Sequence, residues 1–135
     1  MEVIESFLYF ITAAIIVTPL HEIAHWLAGK IFGFNGKLHY DCVQWRHAEK
    51  MTTIQRTAIS IAPLLLMPVL VVIAEHFHLP KAAIVGIVYA AIPSGEDVGF
   101  ALYNEFRDRQ QVLVKIIKAG RLVRAGIAVT SLFLL

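Results

Sequence analysis

Residues 7–34 read FLYFITAAIIVTPLHEIAHWLAGKIFGF, an apolar stretch long enough to cross a bilayer as one helix. A bilayer span needs roughly 20 apolar residues, whereas core helices of soluble domains are usually shorter. The apolar pattern starts near Val3, and Glu2 and Glu5 stand where a secretory signal carries basic residues. No small-residue cleavage site is evident. The stretch therefore predicts a retained transmembrane helix.

The composition of the chain is typical of a protein whose solvent is lipid. Hydrophobic residues make up 58% and charged residues 16% of the chain, whereas soluble domains average roughly 45–50% and about 25%. The net charge is only +2, and no basic stripe alternates with aromatic residues, which excludes a nucleic-acid-binding surface. Cys42 is the only cysteine, so the ligands of any metal must be His, Asp or Glu. The length indicates one domain, residues 1–135.

Three further apolar segments follow the first one, which covers residues 3–34. They cover residues 54–77, 82–103 and 122–135. The last is short for a span at about 1.5 Å per residue, unless the basic residues before it form an amphipathic lead-in at the membrane interface. We expect an all-α integral membrane bundle of three core transmembrane helices with a fourth hydrophobic segment.

The loops after the first and third spans hold nearly all Lys and Arg residues, and only Lys81 lies elsewhere. The positive-inside rule predicts that these two loops are cytoplasmic and that the N-terminus lies outside. In the first of them, Asn35-Gly36 is a turn signal, and LHYDCVQW after it is rich in residues that suit strands. This loop is therefore predicted to contain a small β-hairpin on the cytoplasmic side.

His21, Glu22 and His25, in the motif HEIAH, concentrate three ionisable side chains in one turn of the first span. Such groups cost roughly 2.5–3.5 kcal/mol each on insertion scales, so three together indicate a function. Two His four positions apart lie on one helix face and can bind the same ion. Zinc lowers the pKa of a bound water to about 7, and Glu22 is placed to accept its proton. This is the chemistry of peptide-bond hydrolysis.

A third protein ligand is expected from Glu96 or Asp97, the other acidic residues within a predicted span. His25 lies five residues before Lys30, and Asp97 ten before Arg107. Both sites therefore fall roughly 8–15 Å from the cytoplasmic ends of their helices. Adjacent residues point about 100° apart on a helix, so only one of the pair should ligate. We favour Asp97, with Glu96 as the alternative and a structural cap or ion pair as the non-metal interpretation.

HEIAH in a membrane span, followed two spans later by a proline-containing stretch ending in Asp, resembles the site-2 protease family of intramembrane metalloproteases over roughly residues 10–105. The resemblance implies two zinc-ligating histidines, a zinc-ligating aspartate and a catalytic glutamate, which correspond here to His21, His25, Asp97 and Glu22. It also implies substrates that are themselves membrane-spanning proteins. The stretch IPSGEDVGF departs from the family pattern, because Val98 follows Asp97 where the family has Gly. With no room for an extra peptide-binding domain, the expected protein is a minimal core.

Two other classes of function remain open from the sequence. A noncatalytic membrane protein could keep the metal site for assembly or for binding a partner. A transport or proton-relay protein would use intramembrane His and acidic residues as a path for ions, although HEIAH concentrates these residues in one turn instead of spreading them along a helix face.

Overall fold

Helices make up most of the chain, and their bounds follow the apolar segments of the sequence. The computed structural model describes residues 2–134, which form six α-helices and one two-stranded sheet. In chain order the elements are α1 Val3–Ile31, β1 Gly36–Leu38, β2 Val43–Trp45, α2 Thr53–Ile61, α3 Leu66–His76, α4 Lys81–Ala91, α5 Gly95–Phe106 and α6 Gln110–Phe133. Two 3₁₀ turns are Ala48–Lys50, before α2, and Ala62–Leu65, between α2 and α3.

Three helical stretches are long and apolar enough to cross a membrane, as the sequence predicts. They are α1, the run from α2 through α3, and the run from α4 through α5. Large apolar side chains such as Ile16, Val69 and Val72 remain exposed on them. Soluble monomers rarely expose large contiguous apolar surfaces, whereas lipid-facing helices do so by necessity.

A proline divides the third stretch and determines where α5 begins. Pro93 cannot continue the helix, and Ile92 before it adopts an extended backbone with φ −70° and ψ 149°. Ser94 then caps α5: its hydroxyl accepts the Asp97 N–H at 3.2 Å, while its own N–H donates to the Asp97 carboxylate at 2.8 Å. Asp97 is therefore held in the first turn of α5, next to the break.

Small residues let the helices approach closely at the centre of the bundle. A side chain at Gly86 of α4 would lie 2.4 Å from the Phe10 carbonyl of α1, so the two backbones touch there. Val17, Ala74, Ile87 and Ala90 form the buried apolar cluster between α1, α3 and α4. This contact fixes the position of α1 along the axis of α4. Because α5 follows α4 directly after Pro93, it also positions α1 relative to α5.

The fourth hydrophobic segment, predicted over residues 122–135, belongs to a longer helix whose first half carries the basic residues, in agreement with the alternative of a basic lead-in. A single 24-residue helix, α6, starts at Gln110 and includes the basic residues that precede Leu122. Over the described residues α6 is not among the stretches apolar enough to cross a membrane. It packs on α5 at the break, where a Cβ added to Gly120 would lie 2.9 Å from the Gly95 Cα.

The predicted β-hairpin forms, with Gly36 opposite Trp45 and Leu38 opposite Val43 in an antiparallel register. It does not extend beyond the end of α1 as a solvated loop would, because it packs along that helix. The Trp26 indole N–H donates to the Gly36 carbonyl at 3.0 Å. Nearby, the Trp45 ring packs directly on Gly29 of α1. A Cβ built on Gly29 would lie only 2.0 Å from this ring, so the ring occupies the space of a side chain.

Candidate metal centre

One face of α1 carries both histidines into the bundle. Val17, His21, His25 and Gly29 recur every four residues and are the buried positions of this helix. Each histidine is only 5% exposed. Their Nε2 atoms lie 2.9 Å apart, so both rings present the same nitrogen to one point.

The Asp97 carboxylate meets the two histidines at that point. Its Oδ2 lies 3.1 Å from Nε2 of His21, and its Oδ1 lies 3.0 Å from Nε2 of His25. The Ser94 cap holds the carboxylate, and the Ser60 hydroxyl of α2 donates to the Asp97 backbone carbonyl at 2.8 Å. Three helices thus position one acidic side chain, and the residues predicted as ligands are brought together.

The arrangement of these three side chains fits a divalent metal ion. Zinc takes His nitrogens and carboxylate oxygens at about 2.0–2.2 Å, so ligands of one tetrahedral ion lie roughly 3.3–3.6 Å from one another. The separations of these three groups, 2.9–3.1 Å, are a few tenths of an ångström shorter. The Nδ1–H of His25 donates to the Ile59 carbonyl at 2.6 Å, which leaves its Nε2 as the atom with the free lone pair. Two imidazoles and a carboxylate around one point are therefore a suitable zinc donor set.

Glu22 lies beside this cluster and is half-buried. A carboxylate oxygen of Glu22 and a ring nitrogen of each histidine all lie within 4.8 Å of one another. The Asp97 carboxylate and the two histidines could supply three ligands to one ion. Glu22 lies close enough to the imidazoles to act either as a further ligand or as a proton acceptor beside such an ion.

A cavity of about 430 Å³ opens onto the cluster. Besides the residues already discussed, its walls include side chains of the hairpin and of α6, namely Asp41, Cys42, Val43, Trp45 and Arg124. The hairpin itself is predicted from the sequence, but no pattern in the sequence predicts that these side chains meet the histidine cluster. Desolvation and the carboxylates of Asp41 and Glu22 raise the pKa of the Cys42 thiol.

Glu96, the alternative ligand, borders the same cavity but has another partner. Its carboxylate forms an ion pair with the Arg121 guanidinium of α6, on the exposed side of α5. Glu96 thus forms the ion pair that the non-metal interpretation allows. Asp97 instead caps the start of α5 and also contacts the two histidines.

We expect Asp97→Asn to weaken zinc binding while leaving the bundle intact. The amide of Asn can still accept the Ser94 N–H, so the helix cap survives, but it lacks the negative charge that stabilises a divalent ion. Glu96→Gln is the matched control and should leave zinc affinity close to the wild-type value. Titration of each purified variant with zinc compares the two. The reverse order of effects would transfer the ligand role to Glu96.

The fold and site define a helical bundle in which two buried histidines and an aspartate surround one point in a cavity beside α1. Comparison of the chain with protein-family models, with curated proteins and with solved structures finds no match. Function is therefore inferred from the geometry and chemistry of this cavity.

Proposed function

We propose that this protein is an integral membrane zinc metalloprotease that hydrolyses peptide bonds of membrane-spanning substrates. The observation that carries the proposal is the convergence of the Asp97 carboxylate on Nε2 of His21 and His25, at 3.1 Å and 3.0 Å, with Glu22 in the same cavity. Two imidazoles, one carboxylate and an adjacent glutamate form the donor set and base of a hydrolytic zinc site. Structural zinc sites normally have four protein ligands, whereas catalytic sites have three and leave one position open for water or substrate. The three ligands proposed here therefore match a catalytic site.

The three long apolar helices support insertion in a lipid bilayer as a multi-pass protein. Under the positive-inside rule, the basic loops around Lys50 and Arg107 are cytoplasmic and the N-terminus is outside. His21, His25 and Asp97 then lie nearer the cytoplasmic ends of their helices. We propose that the cavity takes up the substrate from this side of the membrane.

Each residue of the cluster has a distinct role in the proposed reaction. His21, His25 and Asp97 would hold the zinc ion, which when bound supplies Lewis-acid polarisation of the scissile carbonyl and a more acidic water. Glu22 accepts the proton of the attacking water and passes it to the leaving amine. The hydrogen bond from His25 to the Ile59 carbonyl keeps its ring oriented throughout.

The hairpin gives the cavity a means of holding an extended substrate. Val43 and Trp45 of β2 line the same cavity as the histidine cluster. A transmembrane helix hides its carbonyls in its own hydrogen bonds and must unwind before hydrolysis. An unwound segment can pair with the edge of a strand by β-augmentation, which presents one peptide bond at a time.

Removal of the metal tests the proposal directly. In proteoliposomes that contain this chain and a panel of labelled transmembrane helices, we expect cleavage that a chelator abolishes and zinc restores. Cleavage products are measured by mass spectrometry. Bound zinc without cleavage of any helix in the panel would favour the noncatalytic alternative. Zinc-independent dissipation of a pH gradient by the same liposomes would favour a proton path.

A further inference from the structure

Three prolines each leave a backbone carbonyl without its usual helical donor. In an α-helix the N–H of residue i donates to the carbonyl of residue i−4, and proline has no N–H. The carbonyl oxygens affected by Pro19, Pro63 and Pro93 therefore belong to Ile15, Ile59 and Tyr89. Of the other two prolines, Pro80 directly precedes α4, where an N–H has no helical partner in any case. Pro68 lies in the first turn of α3, directly after a 3₁₀ turn.

Each of these three carbonyls accepts a hydrogen bond from a side chain of another element. The Tyr40 hydroxyl donates to Ile15 at 2.6 Å, His25 Nδ1 to Ile59 at 2.6 Å, and Arg124 Nε to Tyr89 at 3.0 Å. The Ile59 oxygen also accepts the Ala62 N–H, as a carbonyl with two lone pairs can. His25 and Arg124 line the cavity, and Tyr40 immediately precedes Asp41, which also lines it.

We propose that Tyr40 is a positioning residue whose hydroxyl, bonded to the carbonyl that Pro19 leaves free, holds the turn of the hairpin over the cavity. At its base the hairpin is attached to α1 by Trp26 and by Trp45 on Gly29. Near its turn, Tyr40 supplies the corresponding attachment to α1. Asp41 and Cys42 follow Tyr40 and form part of the cavity wall, so the position of the wall depends on this bond.

The location of the Ile15 carbonyl makes the bond important. At about 1.5 Å per residue, Ile15 lies about 22 Å along α1 from Lys30, deep within the apolar part of the helix. A carbonyl without a donor is costly in that environment, because no bulk water replaces the missing partner. Pro19 therefore creates a strong acceptor at the depth where the hairpin turn has to be held. That the cavity under this turn receives a substrate rests on the proposed function, whereas the hydrogen bond from Tyr40 does not.

Cys42 offers a direct readout, because it is the only cysteine and lies in the hairpin turn. A nitroxide spin label on Cys42 reports the mobility of the turn in the full chain reconstituted in vesicles. We expect Tyr40→Phe, which removes only the hydroxyl, to convert an immobilised spectrum into a mobile one. Tyr9→Phe is the matched control, since the described residues give the Tyr9 hydroxyl no hydrogen-bond partner. An unchanged spectrum for Tyr40→Phe would overturn the proposal.

A double-mutant cycle with Pro19→Ala tests the role of the proline. This substitution restores a backbone N–H that donates to Ile15, so removal of the Tyr40 hydroxyl should change label mobility much less in this background. An equal change in both backgrounds would show that the hydroxyl acts elsewhere and would also overturn the proposal. If Pro19→Ala does not fold, the comparison of Tyr40→Phe with Tyr9→Phe decides alone. None of these readouts needs substrate cleavage, so they remain valid if the protease proposal fails. Zinc content should stay at the wild-type level in Tyr40→Phe.

Discussion

Glu22→Gln should retain zinc and the fold while reducing substrate cleavage by about 10²–10⁴-fold. Glutamine has nearly the same size as glutamate and keeps its polar contacts, but its amide cannot accept the proton of the attacking water. If His21, His25 and Asp97 supply the three ligands, as proposed, loss of the Glu22 carboxylate should leave metal content almost unchanged. The rate of cleavage of a transmembrane substrate at saturating zinc is the measurement.

Glu5→Gln is the matched control for this substitution. Glu5 lies on the same helix, is exposed and does not line the cavity, so its neutralisation should leave cleavage at the wild-type rate. Circular dichroism and zinc content separate a chemical defect from unfolding. Cleavage by Glu22→Gln at a rate near that of the wild type would remove Glu22 from the role of base. Loss of zinc from Glu22→Gln would instead make Glu22 a ligand.

The parts of this fold that the sequence predicts are those set by local pattern. The spacing of His21 and His25 places both rings on one face whatever the tertiary structure, because the helical period is 3.6 residues. The depth of Asp97 could also be predicted, since the basic ends of both helices are expected at the same interface. The capping box that turns the Asp97 carboxylate toward the histidines depends on where α5 begins, which Pro93 and Ser94 determine.

The parts that sequence analysis missed depend on contacts between distant segments. Asp41, Cys42 and Arg124 lie in the cavity wall only because the hairpin packs along α1 and because α6 packs on the break before α5. A signal was present in Pro19, Pro63 and Pro93: each of these predicts a free carbonyl four residues earlier, but not which side chain will use it. Hydropathy alone did not predict the start of α6 at Gln110, because it detects only apolar residues. Lys, Arg and Ala are good helix formers, and they extend the helix ahead of its apolar part.

Replacement of both His21 and His25 by alanine should reduce zinc content from about one ion per chain to almost none. Asp97 and Glu22 would remain, but two carboxylates without an imidazole are oxygen donors that suit calcium or magnesium better than zinc. Metal content of the purified protein, measured by mass spectrometry after dialysis against a weak chelator, is the readout. The double substitution His21→Gln, His25→Gln fills more of the buried volume and should give the same result if the alanine variant proves unstable.

A control with the same number of histidines removed is available at the far end of α3. His76 and His78 are exposed and lie outside the cavity. His78 has a positive φ of 53°, which Asn tolerates better than Ala, so the control variant is His76→Ala with His78→Asn. This variant should keep its zinc. Equal zinc content in the wild type and in the variant without His21 and His25 would show that the metal binds elsewhere. The roles proposed for Asp97 and Glu22 would then lose their basis, because both depend on an ion held by these two imidazoles.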